Sequence, residues 1–262
     1  MSEDPRLMFD WYTRYYAAVS ASEANAAYCR QVYGQNLCQH GFAEMAHLDQ
    51  LSDACNLKEA DGVLDLGCGN GEITEYLSDQ TGAHITGIDF IEQAIRDAQE
   101  RTHSKRERLD FAAMDMTDLT FPAASFDVII SIDTLYFGDA YELLHPMMPL
   151  LRPGGRLAAF FDQSCGPDKP LEAYPQASTQ PDGTDLAVAL QRLGVPYKVW
   201  DYTQPMLDHL QRRKPVLAAL QAQFEAEGNQ FLYGNHLGEA NGIERAYLNG
   251  AGRRYLYLAT LL

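Results

Sequence analysis

The chain has 262 residues, 46% hydrophobic and 21% charged, with 20 Lys+Arg against 36 Asp+Glu and a formal net charge of −16. That length and balance suit one folded α/β domain with a sizeable core and exclude a disordered or low-complexity chain. The negative charge repels phosphate backbones over the whole surface and argues against nucleic acid as a partner. The opening "MSEDPRLMFDWYTRYY" has no basic segment leading into an unbroken apolar stretch, and no apolar run reaches membrane-spanning length. The expectation is a cytoplasmic protein with no membrane partner. Cys29, Cys38, Cys55, Cys68 and Cys165 are odd in number and lack a C-x-x-C pair, which suits reduced, buried thiols and calls for no metal.

In chain order, residues 1–60 read as a helical cap, with helix-like pieces "MFDWYTRYYAAV" and "NAAYCRQVYGQNLCQHGFAEMAHL". Phe9, Trp11, Tyr12, Tyr15 and Tyr16 read first as packing residues and second as a pocket lid. Residues 61–162 then alternate. "GVLDLG" is a strand, "EITEYLSDQ" a helix, "AHITGIDF" a strand, and "IEQAIRDAQERT" a helix with apolar Ile91, Ala94, Ile95 and Ala98 on one face. "LDFAAMDM" and "FDVIISID" are further strands, "AYELLHPMMPLL" is helical until its prolines, and "LRPGG" turns into the strand "RLAAFFD". Strands separated by helices imply right-handed crossovers and a parallel sheet covered on both faces.

Within residues 163–250 the strand-like "YKVWDY" follows the long loop Asp162 to Gly183, whose length suggests a lid. Thr203 to Gly228 is helical, with Pro215 expected to break or kink it. Residues 251–262 supply a last strand, "RRYLYLATLL". Two basic runs need no phosphate ligand: "RTHSKRER" lies where a helix ends, favourably placed at the negative end of its dipole, and "RRK" at Arg212 to Lys214 reads as a solvated helix face.

The chemistry concentrates in "VLDLGCGNGE". Three glycines between a strand and a helix permit positive φ and close approach of backbone to a ligand at the carboxyl ends of the strands. Asp89 ends the second strand 22 residues after Gly67, where a carboxylate can accept from ribose hydroxyls, and Asp115 ends the third, where one can receive an adenine amino group. Either could instead cap a helix.

Taken with "GIDFIEQAI", "AAMDMTDLTFP", "FDVIISIDTLYF" and "LRPGGRLAAF", this motif resembles the class I S-adenosylmethionine-dependent methyltransferases over Gly62 to Asp162. Asp65, Gly67, Gly69 and Gly71 match the family's first motif, whereas a nicotinamide-binding turn wants its third glycine one place later, at Glu72. The resemblance implies a Rossmann-like, doubly wound, mostly parallel seven-stranded sheet with an antiparallel C-terminal hairpin. It also implies S-adenosyl-L-methionine as cofactor, S-adenosyl-L-homocysteine as product, and a small organic acceptor.

By the same resemblance Asp65, Gly67, Cys68, Gly69, Asp89, Phe90, Asp115, Met116, Ile132, Asp133 and Tyr136 surround the cofactor. "YGQNLCQHGF" is similar to a segment of small-molecule members acting on sugars, sterols and tocopherols, which places Tyr33 and His40 over the cofactor's methionyl end. His40 and Asp133 are candidate bases, against a structural histidine and a helix cap, and Asp162 stands at the rim. Phe231, Tyr233 and His236 are expected to line the acceptor pocket, whose aromatic cap favours a partly apolar acceptor. A nicotinamide-dependent reductase and a catalytically silent S-adenosylmethionine-binding protein are the alternatives. The acceptor, the atom methylated and the choice between monomer and homodimer stay open.

Overall fold

The computed structural model describes residues 5–164 and 175–262; residues 165–174, which include Cys165 and the middle of the long loop read as a lid, lie outside them. Three helices come first, α1 (Pro5–Ala21), α2 (Glu23–Val32) and α3 (Met45–Cys55). The alternating core follows as β1 (Gly62–Leu66), α4 (Glu72–Thr81), β2 (His84–Asp89), α5 (Glu92–Arg101), β3 (Leu109–Ala113), β4 (Phe126–Ile132), α6 (Ala140–Met147) and β5 (Leu151–Ser164). The rest is α7 (Asp185–Arg192), β6 (Tyr197–Asp201), α8 (Thr203–Ala226), α9 (Gln230–Leu248) and β7 (Gly252–Thr260).

The strands form one seven-stranded sheet in the order β3-β2-β1-β4-β5-β7-β6. β1 pairs in parallel with β2 and β4, while β7 runs antiparallel to both β5 and β6. The order reverses at β1, so the crevice outside the carboxyl ends of β1 and β4 is the topological switch point where such sheets bind ligands.

Local sequence accounts for most of this. Val63, Leu64, Leu66, Val128, Ile129 and Ile130 are fully buried, as central parallel strands covered on both faces require. Ile91, Ala94, Ile95 and Ala98 are all buried, Ile95 and Ala98 against the sheet and Ile91 and Ala94 against Tyr12 of α1, each larger side chain worth roughly 1.5–3 kcal/mol of transfer free energy. The basic segment after α5 is neutralised across the helix layer: Lys105 Nζ is 2.6 Å from carboxylate oxygens of both Glu75 and Asp79 on α4, and Arg101 Nε donates to Glu75 at 2.9 Å.

Two sequence expectations fail in α8. The helix runs unbroken through Pro215, because Leu210, Leu217 and Phe224 are buried along its length and tertiary packing outweighs the local helix preference. The run Arg212 to Lys214 is not a solvated face. Arg212 and Lys214 pair with Glu44 and Glu244, and Arg213 is fully buried, its Nε donating to the Tyr28 hydroxyl.

The reason lies in the cap core. Tyr15, Val19, Tyr28, Val32 and Tyr33 pack there with Leu217, Phe224 and Leu232, so the N-terminal helices and α8–α9 share one interior. Cys29 and Cys55 are buried as expected, while Cys38 and Cys68 are only partly so. No helix among the described residues is long and apolar enough to cross a membrane.

Candidate functional site

The turn after β1 is held by its glycines' backbone angles: φ is +69° at Gly67, +56° at Gly69 and +75° at Gly71. L-residues rarely adopt this region. A Cβ at Gly67 would lie 2.5 Å from Thr134 Cγ2, one at Gly69 3.0 Å from the Tyr16 ring, and one at Gly71 2.5 Å from Phe111. The glycines are thus demanded by neighbouring protein as well as by the open side of the turn. Cys68 N donates to Ile88 O at 2.9 Å, tying the turn to the end of β2.

Asp89 follows at that end and is buried. Its Oδ2 accepts from Gly69 N at 3.0 Å and its Oδ1 from Ile91 N at 2.9 Å. Burial pushes this carboxyl above its usual value, and the bonds from Ile91, Gly69 and the Tyr16 hydroxyl pull back. Two carboxylate oxygens offer about four acceptor sites, which Gly69, Ile91, Phe90 and Tyr16 already address, so a ligand's hydroxyls would bind here by replacing the Tyr16 bond. Asp65, beneath the turn, accepts from Thr74 Oγ1 at 2.6 Å, and burial pushes its carboxyl up to about 6. β3 ends at Ala113, three residues short of the expected Met116, because Asp115 closes a turn on Thr117, accepting from its N at 2.8 Å and its Oγ1 at 2.7 Å.

A cavity of about 470 Å³ opens above these groups. Of the residues named from sequence, His40, Asp65, Gly67, Cys68, Gly69, Asp89, Phe90, Asp115, Met116, Ile132 and Asp133 line it. Tyr33 and Tyr136 do not. Tyr33 is in the cap core, where its hydroxyl donates to Gly41 O at 2.9 Å and holds the loop that carries His40. Tyr136 is 39% exposed and faces a second cavity, because a short 3-10 turn, Leu135–Phe137, swings it away from the sheet end.

The wall opposite the sheet comes from α1, whose Met8, Tyr12 and Tyr16 are spaced at four-residue intervals on one face. That spacing was the available signal for a lid, but it is also the signature of packing. Asn70 was missed altogether. It lines the cavity, donates to Ser20 Oγ at 2.7 Å through Nδ2, and leaves its buried Oδ1 without a partner. A donor-rich, hydroxyl-bearing nucleoside suits this set: an orphaned acceptor, buried carboxylates and glycines over which backbone is exposed.

The second cavity, about 410 Å³, shares His40 with the first. The imidazole is edge-on to Tyr15 and Trp11, and its Nε2 lies 3.4 Å from Glu239 Oε1. The other oxygen of Glu239 accepts from Arg213 Nη2 at 2.8 Å. Burial alone would raise the Glu239 carboxyl, but the His40 bond and the Arg213 guanidinium hold it well below the usual carboxylate range. On the far side Asp162, at the end of β5, accepts from the Tyr247 hydroxyl; burial pushes it up to about 6 against the pull of Arg254.

Other expected roles do not survive the geometry. Asp133 has both oxygens committed, to the fully buried Arg254 of β7, whose Nη2 donates at 2.9 Å, and to Phe42 N at 2.7 Å. A carboxylate so engaged frames the site and is not free to act as a base. His236 is buried in the cap, stacked on Tyr28 with centroids 4.4 Å apart and bonded to Asn25 Oδ1 at 2.9 Å. Phe231 lies under the Arg14 guanidinium and Tyr233 donates to Gln221, so neither lines a cavity described here.

Residues 63–155 match a family model described as a methyltransferase domain. The chain is 33% identical over 141 residues to 27-O-demethylrifamycin SV methyltransferase of Amycolatopsis mediterranei (strain S699), covering 49% of this chain and 52% of that one. It is 33% identical over 145 residues to phosphoethanolamine N-methyltransferase 1 of Zea mays, covering 55% and 28%. These matches thus span about half of the first relative's length and little more than a quarter of the second's. Among solved structures, a complex of phosphoethanolamine N-methyltransferase 2 from Haemonchus contortus superimposes with a TM-score of 0.72 at 16% identity, over 95% of this chain and 59% of that one. At that identity the likeness is one of fold.

Proposed function

We propose, from the premise that this chain belongs to the class I S-adenosylmethionine-dependent methyltransferases, that it moves a methyl group from S-adenosyl-L-methionine to a small organic acceptor seated in the second cavity. One observation supports this most directly: the glycine turn, Asp89 and the α1 aromatics enclose a cavity at the sheet's switch point, and a single side chain, His40, borders both it and a neighbouring cavity. The cofactor supplies an already activated methyl on a sulfonium, so the protein's task is alignment and exclusion of water.

Asp89 would hold the ribose hydroxyls, Asp115 and Met116 the adenine, and Asn70 Oδ1 a donor at the methionyl end. Tyr12 and Tyr16 of α1 would shield the donor from solvent. On the acceptor side His40 would receive the proton released as the acceptor attacks, its ring oriented by Glu239 and by the aromatic edges of Tyr15 and Trp11.

Calorimetry with S-adenosyl-L-homocysteine tests the first half, and transfer of labelled methyl to a panel of hydroxylated and amine acceptors the second. For His40→Ala the expected outcome is a fall in turnover of about 10²–10⁴-fold with homocysteine-product affinity changed less than about threefold. Equal turnover in variant and wild type would end the base assignment.

A further inference from the structure

The second cavity has a charge of its own, distinct from that of the cofactor cavity. Three carboxylates face it, Asp162 from β5, Asp185 from the first turn of α7 and Glu239 from α9. Among the described residues lining it none is Lys or Arg, and His40 alone can carry positive charge. Two guanidiniums behind the wall are committed, Arg254 to Asp133 and Arg213 to Glu239, and Arg253, opposite Gln163 on β7, donates to Gly252 O. Phe42, Phe161, Ile243 and the Tyr136 ring supply an apolar flank.

We infer that this cavity selects acceptors that are uncharged or cationic, presenting hydroxyl or ammonium donors to Asp162, Asp185 and Glu239 with a short apolar part against Phe161 and Ile243, and that it rejects acceptors bearing phosphate or carboxylate. The cavity carries the inference, and its carboxylates set the sign. It rests on the methyltransferase reading only in calling the occupant an acceptor. An anion placed here meets like charge in a partly enclosed space, where screening is weak and, among the described residues lining it, only His40 can offer a cation. A hydroxyl or ammonium instead finds acceptor oxygens whose own partners, such as the Gln163 side chain 3.3 Å from Asp185, leave lone pairs to spare.

The test compares benzylamine, benzyl alcohol and benzyl phosphate, which share one ring and differ in the head group. Each is titrated into protein with labelled Ala and Ile methyls, with and without S-adenosyl-L-homocysteine. The methyl signals of Ala140 and Ile243 should move with the amine and the alcohol, and binding of the phosphate should be weaker by about tenfold or more. Asp185→Asn, on an exposed helix start, and Asp162→Asn, which keeps an acceptor for Tyr247, should each narrow that gap. Phosphate binding equal to or tighter than amine binding overturns the inference, as does failure of all three probes to move either methyl. Calorimetry reads homocysteine-product binding separately: its absence alongside an intact amine preference would remove the methyltransferase reading and leave the cavity's selectivity standing.

Discussion

The two cavities meet at His40 but are built on different principles. The floor of the first is framed largely by backbone: a turn at positive φ and strand ends, with two aspartates, Asp89 and Asp115, that occur within 48 residues of Gly67. The second is assembled by side chains from distant segments, with Phe42, Asp162 and Glu239 brought together only by the packing of cap on sheet. A backbone-framed site tolerates changes in its surroundings, whereas a side-chain-framed one depends on every charge pair that holds its walls.

The largest test of that contrast is Arg254→Leu. Arg254 and Asp133 are both buried, and Asp133 also carries Phe42 of the second cavity. Removing the guanidinium leaves an uncompensated buried carboxylate, and the expected loss is about 3–5 kcal/mol of unfolding free energy in urea denaturation. A loss below about 1 kcal/mol would mean that the pair does not hold the two regions together.

Asp89→Ala probes the first cavity. Homocysteine-product affinity should fall by about 1–3 kcal/mol, the worth of charge-assisted hydrogen bonds to a ligand's hydroxyls. Calorimetric binding indistinguishable from wild type would take Asp89 out of the site.

The smallest effect concerns Asp65, whose carboxyl burial has pushed up to about 6, opposed by the Thr74 bond. Because the folded chain holds this proton more tightly than the unfolded one, the group's contribution to stability is full below about pH 4 and is lost as pH rises through 6. Asp65→Asn keeps an acceptor for Thr74 and has no proton to lose. Its stability relative to wild type should therefore be about 2 kcal/mol higher at pH 8 than at pH 4 in denaturation experiments. A difference independent of pH would show that Asp65 titrates normally.

The contrast between the cavities also explains what could be read in advance. The Gly67 to Gly71 turn was legible because positive φ restricts residue type at single positions, and α5 was legible because one buried face imposes a period on consecutive residues. Asp133 was misassigned for the opposite reason. Its partner lies 121 residues away, and the sole trace in sequence is the Arg253–Arg254 pair at the start of a largely apolar and aromatic last strand. Arg213 left a misleading trace, since two half-buried basic neighbours make it look solvated. His236 and Tyr33 show the same limit: polar aromatic residues suit a binding wall and a hydrogen-bonded core equally well, and both went to the core.

The amino-acid order by itself determined the alternation of strands and helices, the switch-point turn and the acids that follow it. These are properties of one backbone segment, enforced by torsion angles and by burial on a fixed period. Tertiary structure alone decided that Asp133 is a strut, that Glu239 reaches His40, and that α1 roofs the first cavity. Those outcomes depend on which side chains meet across the fold, and meeting in space imposes no local pattern on either partner.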